Sequence, residues 1–149
     1  MTFRSGFVNI IGPPNSGKST LINQLIGSKV SIVSPKAQTT RFSVRGILNV
    51  DIENDTTNRS QIIFVDTPGI FEPKRKLDEF ILNNTLSNIK DADHSIFIYD
   101  SKNKKGMDDF LKTLKIVNFE NKNLTLVLNK IDQVEKKNLL IITDEILKN

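Results

Sequence analysis

Gly12-Pro13-Pro14-Asn15-Ser16-Gly17-Lys18-Ser19 is the stretch from which the rest of this chain can be read. It satisfies the phosphate-binding pattern G-x-x-x-x-G-K-[ST] at every fixed position, a match expected by chance in roughly one chain in two hundred of this length at average residue usage. The flanks strengthen it. Upstream, Phe7 to Ile11 is an apolar run interrupted only by Asn9, the pattern of a short buried strand. Downstream, Leu21, Ile22, Leu25 and Ile26 fall on one helical face, and Gly27 ends that helix. Strand, glycine loop and helix are in the order that lets backbone N–H groups and a helix N-terminus surround a polyphosphate. Gly12 and Gly17 allow the close backbone approach, Lys18 reaches the outer phosphates, and the Ser19 hydroxyl is placed to ligate Mg²⁺. Pro13, Pro14, Asn15, Ser16 and Thr20 complete the expected nucleotide contacts of this loop. The competing reading is an ordinary glycine-rich turn with a surface lysine.

Composition bounds the class. A chain of 149 residues with 38% hydrophobic and 26% charged residues suits one folded domain with a sizeable core. The absence of cysteine excludes a disulfide framework, a thiolate metal site and a catalytic thiol. No apolar stretch is long enough for a membrane span, and Met1 to Gly6 lacks the apolar core of a signal peptide, so a cytoplasmic location is expected. The net charge of +4 is a mild excess that favours RNA only weakly. Lys74-Arg75-Lys76 and the group Lys102, Lys104 and Lys105 read as solvated loop charge, with RNA or partner contact as the alternative. His94 has no companion His or Cys and is given no metal or acid–base role.

Along the chain, Ser28 to Arg41 has no clear period and reads as a long loop. Phe42 to Ile52 and Gln61 to Val65 read as strands joined by a polar tip, Glu53 to Ser60. A helix is expected over Asp78 to Lys90, with Leu77, Phe80, Ile81, Leu86 and Ile89 on its inner side. A strand at Ser95 to Asp100, a helix over Asp108 to Asn118 with Phe110, Leu111 and Leu114 inward, a strand at Leu124 to Leu128 and a helix over Lys137 to Leu147 complete the chain. Strands alternating with helices imply an α/β fold: a mainly parallel sheet with helices on both faces and one antiparallel strand. Ligands of such sheets bind outside the carboxyl ends of the strands. The glycine loop, Asp66 and Asn129 to Asp132 each follow a strand, so they should converge.

Asp66-Thr67-Pro68-Gly69 is a D-x-x-G element followed by Ile70. At a strand end, Asp66 can hold Mg²⁺ through water, and the Gly69 N–H can bond a terminal phosphate. Asn129-Lys130-Ile131-Asp132 is an N-K-x-D element. The Asp132 carboxylate can accept two hydrogen bonds from N1–H and the 2-amino group of guanine, a pair adenine does not offer. Asn129 would bridge to the phosphate loop, and the Lys130 stem would cover the base. In the long loop, one hydroxyl of Thr39 or Thr40 can complete the Mg²⁺ shell and order the loop in the triphosphate state only. Each short element alone could equally be a turn.

Taken together, Gly12 to Ser19, Lys36-Ala37-Gln38-Thr39-Thr40-Arg41, Asp66 to Ile70 and Asn129 to Asp132 resemble the GTPase domain of the bacterial Era family of translation-related GTPases. The K-A-Q-T-T-R element is the narrower signal, and the resemblance covers nearly the whole chain. It implies a three-layer, Ras-like P-loop NTPase fold and a GTP-hydrolysing switch with GTP and GDP as ligands. It also implies Mg²⁺ held by Ser19, Thr40 and Asp66, with Asn15, Lys18 and Thr40 in catalytic positions. Asn15 matches the loop asparagine that holds K⁺ in potassium-stimulated relatives. Ile70 stands where Ras-like GTPases place a water-orienting glutamine, so unaided hydrolysis is expected to be slow. Implied partners are the small ribosomal subunit and its 16S rRNA, with the protein a monomer in the cytoplasm or peripheral at the inner membrane. Such GTPases carry a further Ser-Ala element, a sixth strand and a closing helix, followed in this family by a KH-type RNA-binding domain. None of these falls within residues 1–149, so the expectation is a GTPase domain incomplete at its C-terminal end, with weakened GTP binding and an exposed edge at Leu124 to Leu128. A non-catalytic nucleotide-binding or interaction fragment, and a P-loop ATPase or kinase, are the other readings; Asp132 argues against the last.

Overall fold

The computed structural model describes residues 2–28, 43–51, 58–70, 73, 75–117 and 123–148. Strand β1 (Thr2–Ile11) leads through the glycine loop into helix α1 (Lys18–Ile26). Strands β2 (Val44–Asp51) and β3 (Asn58–Asp66) pair antiparallel, from Val44 opposite Asp66 to Asp51 opposite Arg59. Helix α2 (Lys76–Asp91), strand β4 (His94–Asp100), helix α3 (Gly106–Ile116), strand β5 (Asn123–Asn129), a single 3-10 turn at Ile131–Gln133 and helix α4 (Lys136–Leu147) follow.

The strand order is β2-β3-β1-β4-β5, and every pairing except β2 with β3 is parallel. From β1 the chain passes through α1 to the outer strand β2, returns to β3 beside β1, and then crosses over β1 through α2 to place β4 on the other side. That reversal puts a crevice at the carboxyl end of β1, the switch point at which open α/β sheets bind ligands.

Alternation along the central strands divides the core between the two faces of the sheet. Ile10 and Ile98 join Phe64 and Ile22 of α1 on one face. Ile11, Phe97 and Tyr99 join Ile89 of α2 and Phe110 of α3 on the other, where the Phe97 and Phe110 rings meet edge-on at 5.1 Å. Ile142 and Ile146 of α4 pack against this second cluster.

Several boundaries differ from the sequence reading. β1 starts at Thr2 rather than Phe7 because its polar first half pairs with Asn58 to Ile62 of β3; for the same reason Asn58 to Ser60 belong to a strand rather than to the hairpin tip. The β1–β4 pairing begins only at Val8 opposite His94. At this step in the sheet Phe7 N–H donates to Asp93 Oδ2 (2.7 Å) and Asp93 N–H donates to Phe7 O (3.0 Å). α2 starts two residues early, at Lys76, where Arg75 N–H donates to Asp78 Oδ2 (3.1 Å). Its buried stripe is Ile81, Thr85 and Ile89, whereas Leu77 and Phe80, expected inward, are exposed. Leu77 lies on the same i, i+4 line as Ile81, so its exposure follows from its place in the first turn, whereas Phe80 lies about 100° round the helix from Ile81 and off the buried stripe. α3 spans Gly106–Ile116 and ends at the extended Val117; Asn118, its expected end, lies outside the described residues. β5 lies at the edge of the sheet among the described strands.

Candidate nucleotide-binding site

The site is assembled at the carboxyl ends of β1, β3 and β5. The glycine loop leaves β1 at Gly12, and α1 begins from Gly17, whose φ of +105° is in the left-handed region that favours glycine. The N-cap residue Gly17 supplies no side-chain cap to α1, whose N-terminus opens onto the loop. A Cβ at Gly17 would collide with Asn129 Nδ2, and one at Gly69 would lie 2.7 Å from Pro14 N. The phosphate loop is therefore packed between the D-x-x-G and N-K-x-D segments at two points where only hydrogen fits.

Hydrogen bonds join the same segments. Ile70 N–H donates to Gly12 O (3.2 Å), and Thr67 Oγ1 donates to Ile10 O (2.7 Å). Asn129 Nδ2 donates to Ser16 O (2.7 Å), and Lys130 Nζ donates to Asn15 O (2.7 Å). Asn15 and Lys130 are the non-glycine residues with left-handed backbone among those described, at φ of 61° and 58°. The bridge from Asn129 to the phosphate loop, read from the sequence, is thus present as a contact.

Inside the loop, Lys18 is 7% exposed, and its ammonium donates to Gly12 O (3.1 Å) and Pro13 O (2.8 Å). Burial lowers its pKa from 10.5 to about 8, against the opposing pull of the Asp66 carboxylate. Ser19 Oγ donates to Asp66 Oδ2 at 2.6 Å, bringing together two of the three residues expected at Mg²⁺. Ser16 Oγ is buried without a hydrogen-bond partner among the described residues. Pro13, Thr67, Pro68 and Gly69 are buried, Pro14 is half-buried, and Asn15 and Thr20 are exposed. Ile131 and Asp132 stand exposed on the 3-10 turn.

Two of the expected site residues stand apart from the rest. Ile70, expected beside the nucleotide, has its side chain in the apolar cluster with Ile11 and Ile89, while only its backbone meets the loop. Thr40, with the whole of Lys36 to Arg41, lies outside the described residues. The sequence reading also missed Asp100, which pairs in register with Asn129 and whose Oδ2 lies 2.6 Å from Lys130 Nζ. Its signal was available: like Asp66, it is a carboxylate that ends an apolar strand.

Residues 7–130 match the model of the 50S ribosome-binding GTPase family. The chain is 46% identical over 141 residues to the GTPase Era of Mesorhizobium japonicum, an alignment covering 93% of this chain and 42% of that protein. Among solved structures it is similar to a variant of Aquifex aeolicus Era bound to GDP and AlF₄⁻, with 41% identity, a TM-score of 0.83 and coverage of 97% of this chain and 47% of that one. It is also similar to Era in complex with MgGDPNP and nucleotides 1506–1542 of 16S ribosomal RNA, with 40% identity, a TM-score of 0.82 and coverage of 99% and 48%. The chain thus spans less than half the length of these relatives. With the loop order, the sheet topology and the sequence match in agreement, the chain belongs to the 50S ribosome-binding GTPase family and is Era-like over nearly its whole length.

Proposed function

We propose that residues 1–149 act as the GTP-binding and GTP-hydrolysing module of an Era-type switch protein, working in the cytoplasm on assembly of the small ribosomal subunit. The observation that carries this reading is the joining of three strand-end loops by Asn129 to Ser16 O, Lys130 to Asn15 O and Ser19 to Asp66. A polyphosphate suits the glycine loop: a buried ammonium, an uncapped helix start and an unpartnered Ser16 hydroxyl are three features that an anion with several acceptor oxygens would satisfy together. A hydroxyl and a carboxylate within 2.6 Å of one another are hard oxygen donors suited to Mg²⁺. When bound there, Mg²⁺ neutralises charge on the outer phosphates. Thr40 is assigned the third position on the K-A-Q-T-T-R element alone.

The roles of the residues follow from their chemistry. Lys18 turns from the loop carbonyls to the phosphates and offsets charge on the transferred group. Asp132 selects guanine, Lys130 covers the base, and Asn129 keeps both loops at a fixed separation. No side chain at position 70 can orient water, because Ile70 is committed to the core. Turnover in the absence of a partner is therefore slow. Asn15, by its match to the loop asparagine of potassium-stimulated relatives, helps hold K⁺, which would take the part of an arginine finger. The similarity to Era in complex with a 16S rRNA segment supports the ribosomal setting. The protein acts as a monomer that can associate peripherally with the inner membrane.

Displacement of a fluorescent GDP analogue by unlabelled GDP and ADP tests the reading. GDP is expected to compete and ADP not to; equal competition would remove guanine specificity, and failure to bind the analogue would remove the reading altogether. GTP turnover in K⁺ and Na⁺ buffers tests the role of Asn15, which is wrong if the rates are equal.

A further inference from the structure

We propose that Asp100 is a positioning residue for the nucleotide site, holding the Lys130 ammonium against the Asn15 carbonyl and so locking the guanine-side loop to the phosphate loop. This rests on the nucleotide-binding reading above. Lys130 Nζ lies 2.6 Å from Asp100 Oδ2 and 2.7 Å from Asn15 O, so one ammonium spans the end of β4, the end of β5 and the loop after β1. The pair is sheltered, with side-chain exposures of 28% for Lys130 and 13% for Asp100, so water screens it less than it would a surface pair.

The carboxylate is itself fixed in place. Asp100 Oδ1 accepts the Lys102 N–H at 3.1 Å, and Ser101 N–H donates to Asn129 O at 3.1 Å directly beside it. The clasp also closes on two strained points. Asn15 and Lys130 both adopt left-handed backbone, a conformation that disfavours a residue with a Cβ unless its surroundings hold it. Asp100 holds one of these residues directly and the other through the Lys130 ammonium. Its register partner is Asn129, whose amide already grips Ser16 O, so the two anchors act at neighbouring points on the same loop. Without Asp100, Lys130 keeps the neutral Asn15 carbonyl as its acceptor among the described residues, and the loop that carries Asp132 gains freedom to move away from the phosphate loop.

The test is the dissociation rate of a fluorescent GDP analogue from the full chain in a double-mutant cycle with Lys130→Ala. Asp100→Ala is expected to speed release about tenfold, the scale of a lost charged hydrogen bond. Asp100→Asn, which keeps shape and one acceptor oxygen, should speed it about threefold. In the Lys130→Ala background, either Asp100 substitution should change the rate by less than about twofold. An Asp100 that merely stabilises the fold would speed release equally in both backgrounds, and that additivity overturns the proposal, as does a wild-type rate for Asp100→Ala. If Asp100→Ala fails to fold, the Asp100→Asn pair completes the same cycle. If the wild-type chain does not hold the analogue, the functional reading fails and takes this inference with it; if it does and the cycle is additive, the inference fails alone.

Discussion

Lys18 occupies a place where an ammonium is poorly solvated. Burial is the larger influence on its pKa and draws it to about 8; Asp66 only partly offsets that, and the loop carbonyls of Gly12 and Pro13 hold the group where it is. The sign of the resulting pH dependence can be worked out. Below about pH 8 the folded and unfolded chains both carry this proton, and the burial penalty is present in full. Between about pH 8 and 10.5 the unfolded chain binds the proton that the folded chain has lost, so this group's contribution to stability rises with pH. Phosphate binding works the other way, favouring the charged form. Guanine nucleotide binding is therefore expected to take up as much as one proton above pH 8, and affinity should fall as pH climbs from 8 to 10. Calorimetry at pH 9 in two buffers of different ionisation enthalpy measures this directly; a binding heat independent of buffer would contradict it.

At the level of elements, the segment from Asp66 to Ile70 serves the site and the core at once. Its first residue bonds Ser19, its last N–H bonds Gly12, and the Ile70 side chain fills the cluster under α2. Ile70→Ala should therefore cost about 2–4 kcal/mol in urea denaturation, as other buried aliphatic truncations do, while leaving GTP turnover per folded molecule nearly unchanged. A collapse in turnover with unchanged stability would show that Ile70 takes part in the chemistry. The sequence alone revealed the strand ends and the loops that follow them, because Ile10-Ile11, Ile62 to Val65 and Leu126 to Leu128 are apolar runs that stop at polar motif residues. It could not reveal that Thr2 to Gly6 and Asn58 to Ser60 are strand, because those polar residues are extended by pairing with each other across more than fifty positions of sequence. Nor could it tell that Leu77 and Phe80 are exposed: Leu77 shares the line of the buried Ile81 but lies in the first turn, ahead of the support, and Phe80 lies about 100° round the helix from Ile81. Asp100 went unnoticed for a related reason: its partner Lys130 comes 30 residues later, and only the β4–β5 register brings them together.

For the molecule as a whole, the sheet's step at Asp93 matters. There the first half of β1 extends past β4, and Asp93 occupies both hydrogen-bonding groups of Phe7 on that side. A carboxylate at an unpaired strand edge disfavours the addition of another strand. Asp93→Ala should accordingly raise light scattering during refolding from urea at micromolar concentration, with little change in the nucleotide site; scattering equal to wild type would remove this role from Asp93. The strand order has a second consequence, for biosynthesis. Among the described strands β1 leaves the ribosome before its neighbours β3 and β4, yet it ends between them, with both still untranslated when it emerges. Its fully buried Ile10 and Ile11 have no sheet partner until β3 follows. The β2–β3 hairpin, whose strands are close in sequence, can form first and then present β3 as the template on which β1 docks. In a nascent chain of this topology, the strand that carries the glycine loop is thus the one that waits longest for shelter, and a stall in translation ahead of Asn58 would leave it exposed to chaperones and proteases.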